Sequence, residues 1–232
     1  MLGMGGSQIY IPILFWLGMD FKLEAIPLGM LLNLVNSSSA TITYARQHLI
    51  DWRVAIPFGT TMVIFAPLGS LLNVNLPIKP LILMFALFTA AAAILMLSGW
   101  KPKRGDFSEK QKIFLGLIGG TILGLFAGLL GRGGGSFVVP LLYMAGLLPK
   151  VAAATSAFVV SCSGLSSFIS HIIIAAKPDW LLWVLCSLGV LIGSQLGSRI
   201  MATKIDQKKI KPIFGGVLLL VSAILIIQTF IT

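Results

Sequence analysis

Gly131-Arg132-Gly133-Gly134-Gly135-Ser136-Phe137-Val138-Val139-Pro140-Leu141-Leu142 sets four glycines and one arginine between apolar runs. Glycine this dense favours irregular backbone over helix. In a bilayer, irregular backbone is tolerated only where protein or a polar cavity surrounds it. The stretch also has a partner: Gly3-Met4-Gly5-Gly6-Ser7-Gln8-Ile9-Tyr10-Ile11-Pro12-Ile13-Leu14 repeats three of its glycines, its proline and its last leucine at a constant offset, 3 onto 131 and 12 onto 140. The same offset carries Gly18 onto Gly146, Lys22 onto Lys150, Asp51-Trp52 onto Asp179-Trp180, and Leu68-Gly69-Ser70 onto Leu196-Gly197-Ser198. Ungapped matches over so long a stretch mark an internal duplication.

Composition defines the solvent. Of 232 residues, 57% are hydrophobic and 10% charged, with mean hydropathy +0.99, far from the roughly 25% charged of soluble domains. The net charge of +10 lies mainly in connectors between apolar runs, where it reports topology. No basic and aromatic interleaving accompanies it, so nucleic acid is excluded as a partner. Cys162 and Cys186 sit inside apolar segments and read as small core residues. No further ligands surround them, so no metal or cofactor is called for.

Residues 7–18 form an apolar run of about 12 residues, roughly half of what crosses a bilayer as a helix. A full span over 23–45 follows, unusually polar at Asn33, Asn36, Ser37, Ser38, Ser39, Thr41 and Thr43. Further spans are expected over 54–72, interrupted by Pro57 and Pro67, and over 78–98, with a turn through Asn73, Asn75 and Pro77 between them. Residues 99–112 are the longest hydrophilic stretch. Beyond them come Ile113 to Leu130, with Gly116, Gly120, Gly124 and Gly128 on one helix face for close packing, a short run over 137–148, and spans over 151–175, 180–200 and 213–231. The expected fold is an all-α polytopic membrane protein of about nine helical elements. Its organisation is a first repeat over 1–98, a basic cytoplasmic linker over 99–112 and a second repeat over 113–232. At the repeat offset, the counterpart of Ile113 to Leu130 would begin ahead of Met1, so the first repeat is read without its opening helix.

Charge orients the chain. The connectors around 99–112 and 199–211 hold Lys101, Lys103, Arg104, Lys110, Lys112, Arg199, Lys204, Lys208, Lys209 and Lys211, which places both on the cytoplasmic side. If each short run continues the chain across the membrane, residues 46–53 fall inside, residues 73–80 and 176–179 fall outside, and the repeats are inverted. Inverted repeats with a broken element in each are a recurrent plan of secondary transporters.

The motifs suggest the chemistry. A helix starting just after Gly135 presents the free N–H groups of its first turn and the positive end of its dipole near Ser136. The glycines let the backbone approach an oxyanion closely. Gly5, Gly6, Ser7 and Gln8 do the same in the first copy, and Gly133, Gly134, Gly135 and Ser136 in the second. Asn33, Asn36, Ser37 and Thr41 in one copy, and Ser161, Ser163, Ser166, Ser167 and Ser170 in the other, are candidate neutral contacts from the polar spans, with Thr155 and Ser156 on the same span as the latter. Packing alone is the competing reading for the glycines, and a bond to the carbonyl one turn back for the serines. Arg132 has Met4 opposite it and is either a substrate group or an interfacial side chain. His171 is the best placed group titrating near neutral pH, although an interfacial or hydrogen-bonded role competes. No catalytic acid pair, activated nucleophile or metal triad suggests an enzyme.

Gly128-Leu129-Leu130-Gly131-Arg132-Gly133-Gly134-Gly135-Ser136-Phe137-Val138-Val139-Pro140-Leu141-Leu142, followed by Ala153-Ala154-Thr155-Ser156, resembles the sulfite exporter TauE/SafE family of membrane permeases over nearly the whole chain. The resemblance implies a multi-pass plasma-membrane permease for a small anionic substrate, with sulfite, sulfonates and related sulfur compounds foremost. The first copy departs from the pattern, with Ala25-Ile26-Pro27-Leu28 in place of the Ala-Thr-Ser. A channel for small solutes and a non-transport assembly partner are the alternatives, and a homo-oligomer is compatible with the sequence.

Overall fold

The computed structural model describes residues 6–98, 107–131, 134–173, 178–204 and 207–231. Among them are nine α-helices and no strand: α1 (Ser7–Trp16), α2 (Ile26–Arg46), α3 (Trp52–Asn75), α4 (Ile78–Leu97), α5 (Glu109–Leu130), α6 (Gly135–Met144), α7 (Pro149–Ile172), α8 (Trp180–Lys204) and α9 (Gln207–Ile231). The π-helical turn Phe21–Ala25 leads into α2. Five of these helices, α2 with that turn, α3, α4, α5 and α7, are long and apolar enough to cross a membrane. At 1.5 Å per residue, the ten residues of α1 and of α6 reach about 15 Å, half of a hydrocarbon core of about 30 Å.

Helix ends shift from the sequence expectation where caps act. A capping box, with Ser108 Oγ accepting from Gln111 N–H at 3.4 Å and Gln111 Oε1 from Ser108 N–H at 2.9 Å, starts α5 a turn before Ile113. Helix α3 runs on to Asn75 and takes Asn73 with it, so Asn73 is a helical residue and not a turn. Asp20 accepts from Lys22 N–H at 2.9 Å and Leu23 N–H at 2.7 Å, and Glu24 returns a bond to Asp20 N–H at 2.8 Å. These two carboxylates are a helix cap. Lys22 Nζ in turn donates to the Val74 and Leu76 carbonyls at 2.6 and 3.0 Å, closing the end of α3.

The copied segments keep register. Helices α1 and α6 match residue for residue, each with its proline (Pro12, Pro140) and each followed by a glycine with φ near +95° (Gly18, +94°; Gly146, +95°). Trp52 and Trp180 open α3 and α8.

Direction follows from side-chain partners. Asp51 N–H donates to Thr155 Oγ1, and Ser166 Oγ to the Val63 carbonyl, so α3 and α7 run parallel. Helix α2 turns back into α3; its end (Tyr44, Ala45) packs with Ala154 near the start of α7, and its middle (Leu34) lies beside Gly164. Equivalent helices α2 and α7 are therefore antiparallel. So are α4 and α9, where Ser222 Oγ donates to the Ala86 carbonyl and Ala92 and Ala93 pack on Leu218. Both antiparallel crossings are what inversion of one copy on the other produces. Helices α2 and α4 end, and α3, α5 and α7 begin, on one side of the bundle; α3 ends and α4 begins on the other.

Helices α3 and α5 pack backbone to backbone. A Cβ on Gly128 would run into the Ala66 carbonyl, on Gly120 into Thr61, and on Gly69 into the Leu125 carbonyl. This is why the glycines recur every four residues on α5. Pro67 has no N–H to give the Val63 carbonyl one turn back. Ser166 of α7 supplies it at 2.7 Å, so the proline leaves no orphan in the bundle.

Candidate functional site

The short helices meet first turn to first turn. Gln8, second residue of α1, donates its amide N–H to the hydroxyl of Ser136, second residue of α6. These two positions are equivalents of one another in the duplication. Ile9 and Phe137, the next equivalent pair, pack on the same cluster of Ala92, Ala93 and Leu218. From this point the helices diverge. Helix α1 carries Leu14 and Phe15 toward Phe21 and Phe85, at the α3–α4 side. Helix α6 carries Leu142 and Ala145 toward Val54 and Phe58, at the beginning of α3. Two half-length helices thus point outward with their N-termini inward. Gly134, beside Met62 and Leu123 in the middle of α3 and α5, marks the depth of the meeting point.

Each start is shaped by a glycine. Gly134 has φ +67°, a left-handed conformation that side-chain-bearing residues seldom take. A Cβ there would also stand 3.2 Å from Met62 Cε. Gly6 carries the ring of Tyr10 folded over its α-carbon. Its N–H donates to Asn33 Oδ1 of α2 at 3.0 Å. The copies differ here: Ser161, equivalent to Asn33, bonds instead to the Phe158 carbonyl at 2.7 Å.

Buried polar atoms cluster around this meeting point. Ser7, Gln8, Asn33 and Ser136 are all buried. Gln8 Oε1 and Asn33 Nδ2 have no hydrogen-bond partner, and neither has Ser167 Oγ on α7. Because a backbone N–H can only donate, the Gly6 contact fixes which end of Asn33 is oxygen and leaves its NH2 unpaired. Orphaned buried amide groups are costly unless something binds them.

The other expected site residues are spread out. Ser37 bonds back to the Asn33 carbonyl at 2.7 Å and Ser163 to the Val160 carbonyl at 3.1 Å, the local habit of serine in membrane helices. Asn36 is half-buried and Ser156 fully buried. Thr155 holds Asp51 N–H at 3.1 Å at the start of α7. His171, near the other end of that helix, bonds through Nε2 to the Gly128 carbonyl at 2.8 Å. Sixteen helical residues span about 24 Å, so Thr155 and His171 do not share one small ligand. Gly5, Arg132 and Gly133 lie outside the described residues.

Sequence reasoning did not single out Asn73, and it named Ser167 only together with other serines of α7. Asn73 Nδ2 donates to the Leu129 carbonyl at 2.7 Å, and with His171 it holds the C-terminal end of α5 from two sides. Asparagine at an apparent turn carries no signal of that task. Ser167 was one of many serines on α7, and only packing separates it from its neighbours.

This arrangement meets a family pattern: the profile of the sulfite exporter TauE/SafE family matches residues 1–225. The chain belongs to the sulfite exporter TauE/SafE family. Relatives within reach of this TauE/SafE chain carry consistent names. It is 30% identical to the probable membrane transporter protein ORF9 of Sinorhizobium sp, over 90% of this chain and 80% of that one. It is 26% identical to the probable membrane transporter protein YunE of Bacillus subtilis, over 98% and 92%, and 26% identical to a probable membrane transporter protein of Methanocaldococcus jannaschii, over 94% and 86%. No solved structure matches. The chain is a membrane transporter.

Proposed function

We propose that this protein is a secondary transporter of small oxyanions, with sulfite and organosulfonates foremost, in the plasma membrane. The anion is held between the first turns of α1 and α6, by Gly6, Ser7, Gln8, Asn33, Gly134, Gly135 and Ser136. The observation that carries this reading is the bond between Gln8 and Ser136, which brings two helix N-termini to one buried point. The N–H groups of the first turns and the positive dipole ends favour an anion there.

Movement follows from the antiparallel pairing of α2 with α7 and of α4 with α9. Residues 1–98 and 113–232 act as inverted halves, and rocking one part of the bundle against another exposes the site to either side in turn. Residues 99–112 link the halves on the cytoplasmic side. No Asp, Glu, Lys or Arg is among the buried residues described. A carboxylate proton relay is therefore absent from the reading, which favours uniport or weak proton coupling.

Flux measurements on reconstituted protein test this. Saturable sulfite or sulfonate uptake with counterflow is expected, and Gly134→Leu abolishes it. Flux that neither saturates nor shows counterflow would establish a channel instead.

A further inference from the structure

Resting on the oxyanion reading of this site, we propose that it selects by charge: it takes singly charged oxyanions, those that keep a hydrogen included, and rejects dianions of the same size. The described residues that line the site are neutral amides, hydroxyls and backbone, and none of the buried ones carries a formal charge. What positive potential they provide comes from two helix N-termini, each equivalent to about half an elementary charge. Together these balance about one negative charge. The desolvation cost of an ion grows with the square of its charge, so a second charge quadruples that cost with no buried charged side chain among the described residues to meet it.

The unpaired atoms agree with this. Asn33 Nδ2 is a donor fixed in orientation, fully buried and held at the start of α1, suited to an anionic oxygen. Gln8 Oε1, on the first turn of α1, is an unpaired acceptor. Pro12 and Pro140 remove the usual donors to the Gln8 and Ser136 carbonyls one turn back. Acceptors repel a fully ionised ligand and suit one that brings its own O–H. Donors and acceptors at one point describe a partly protonated oxyacid better than a bare dianion.

Calorimetric titration of the purified full chain tests the proposal with three probes. Methanesulfonate is a permanent monoanion, sulfate is a dianion near neutral pH, and sulfite passes from one to the other by losing a proton. Methanesulfonate is expected to bind with an affinity flat in pH, which also controls for titration of His171. Sulfite is expected to weaken as its second proton leaves, and sulfate to bind at least about tenfold more weakly than methanesulfonate. Sulfate binding as tightly as methanesulfonate overturns the charge rule and leaves the oxyanion site standing; no binding of any probe overturns both.

Asn33→Asp locates the effect. It keeps an oxygen for Gly6 N–H and replaces the free donor with a negative oxygen, so methanesulfonate affinity is expected to fall about 100-fold while the protein stays monodisperse. Unchanged affinity in a folded Asn33→Asp variant overturns the assignment. Should that variant not fold, Gln8→Glu asks the same question from α1.

Discussion

Single residues at the centre of this bundle carry more than one duty. Asn33 caps Gly6 with its oxygen and leaves its nitrogen unpaired, so on the proposed site Asn33→Leu is expected to destabilise the protein as well as disable it. The lost buried hydrogen bond amounts to about 1 to 3 kcal/mol, readable as a fall in the thermal midpoint, whereas Asn33→Asp keeps the cap. Ser166→Ala is a purely structural contrast. It orphans the Val63 carbonyl that Pro67 has already deprived of its helical donor, and a loss of about 1 kcal/mol in stability with unchanged substrate affinity is expected. Affinity that fell with it would place Ser166 in the site. At this scale the sequence was legible in part. The glycines and Gln8, Asn33 and Ser136 stood out as polar or small residues in apolar surroundings. Thr155 and His171 stood out equally, and in the fold they bond the Asp51 N–H and the Gly128 carbonyl, because residue type does not tell a ligand contact from a bond to neighbouring backbone.

Helices set the next level, and here the α3–α5 pair is the strongest prediction. Gly69, Gly120 and Gly128 bring two backbones within contact, with no room for a Cβ at Gly69 or Gly128. Gly128→Leu is expected to cost about 3 kcal/mol or more, as overpacking against rigid backbone does, and to lower the thermal midpoint in detergent without any ligand. A tolerated leucine would show that α5 can slide on α3. The periodic glycines made this packing readable in advance. What periodicity left open was the partner, since a small-residue stripe fits any helix that comes close. The half-length helices were likewise legible from run length. Their meeting through Gln8 and Ser136 was not, because an internal repeat reveals which residues are equivalent and not which equivalents touch.

Across the whole molecule, the antiparallel relation of equivalent helices predicts sidedness. With Cys162 and Cys186 replaced, a cysteine at His48 and one at Lys110 are expected to react with an impermeant thiol reagent from the same side, and one at Asn75 from the opposite side. Labelling of all three from one side would overturn the inverted arrangement and with it the alternating exposure of the site. Basic connectors had already implied this orientation, since positive charge is retained on the cytoplasmic side.

The sequence by itself determined the class of solvent, the duplication, the number and approximate ends of the helices and the two places where helix gives way to glycine. Each is a local property: hydropathy, period and backbone freedom act within a few turns of chain. Only the tertiary structure decided which side chains converge, because convergence depends on helix crossings made by residues far apart in sequence. Thus Gln8 meets Ser136, Asn33 turns its oxygen to Gly6, and His171 is drawn to the end of α5. In a bilayer without water to satisfy polar groups, those crossings settle which amides are paired and which are left without a partner.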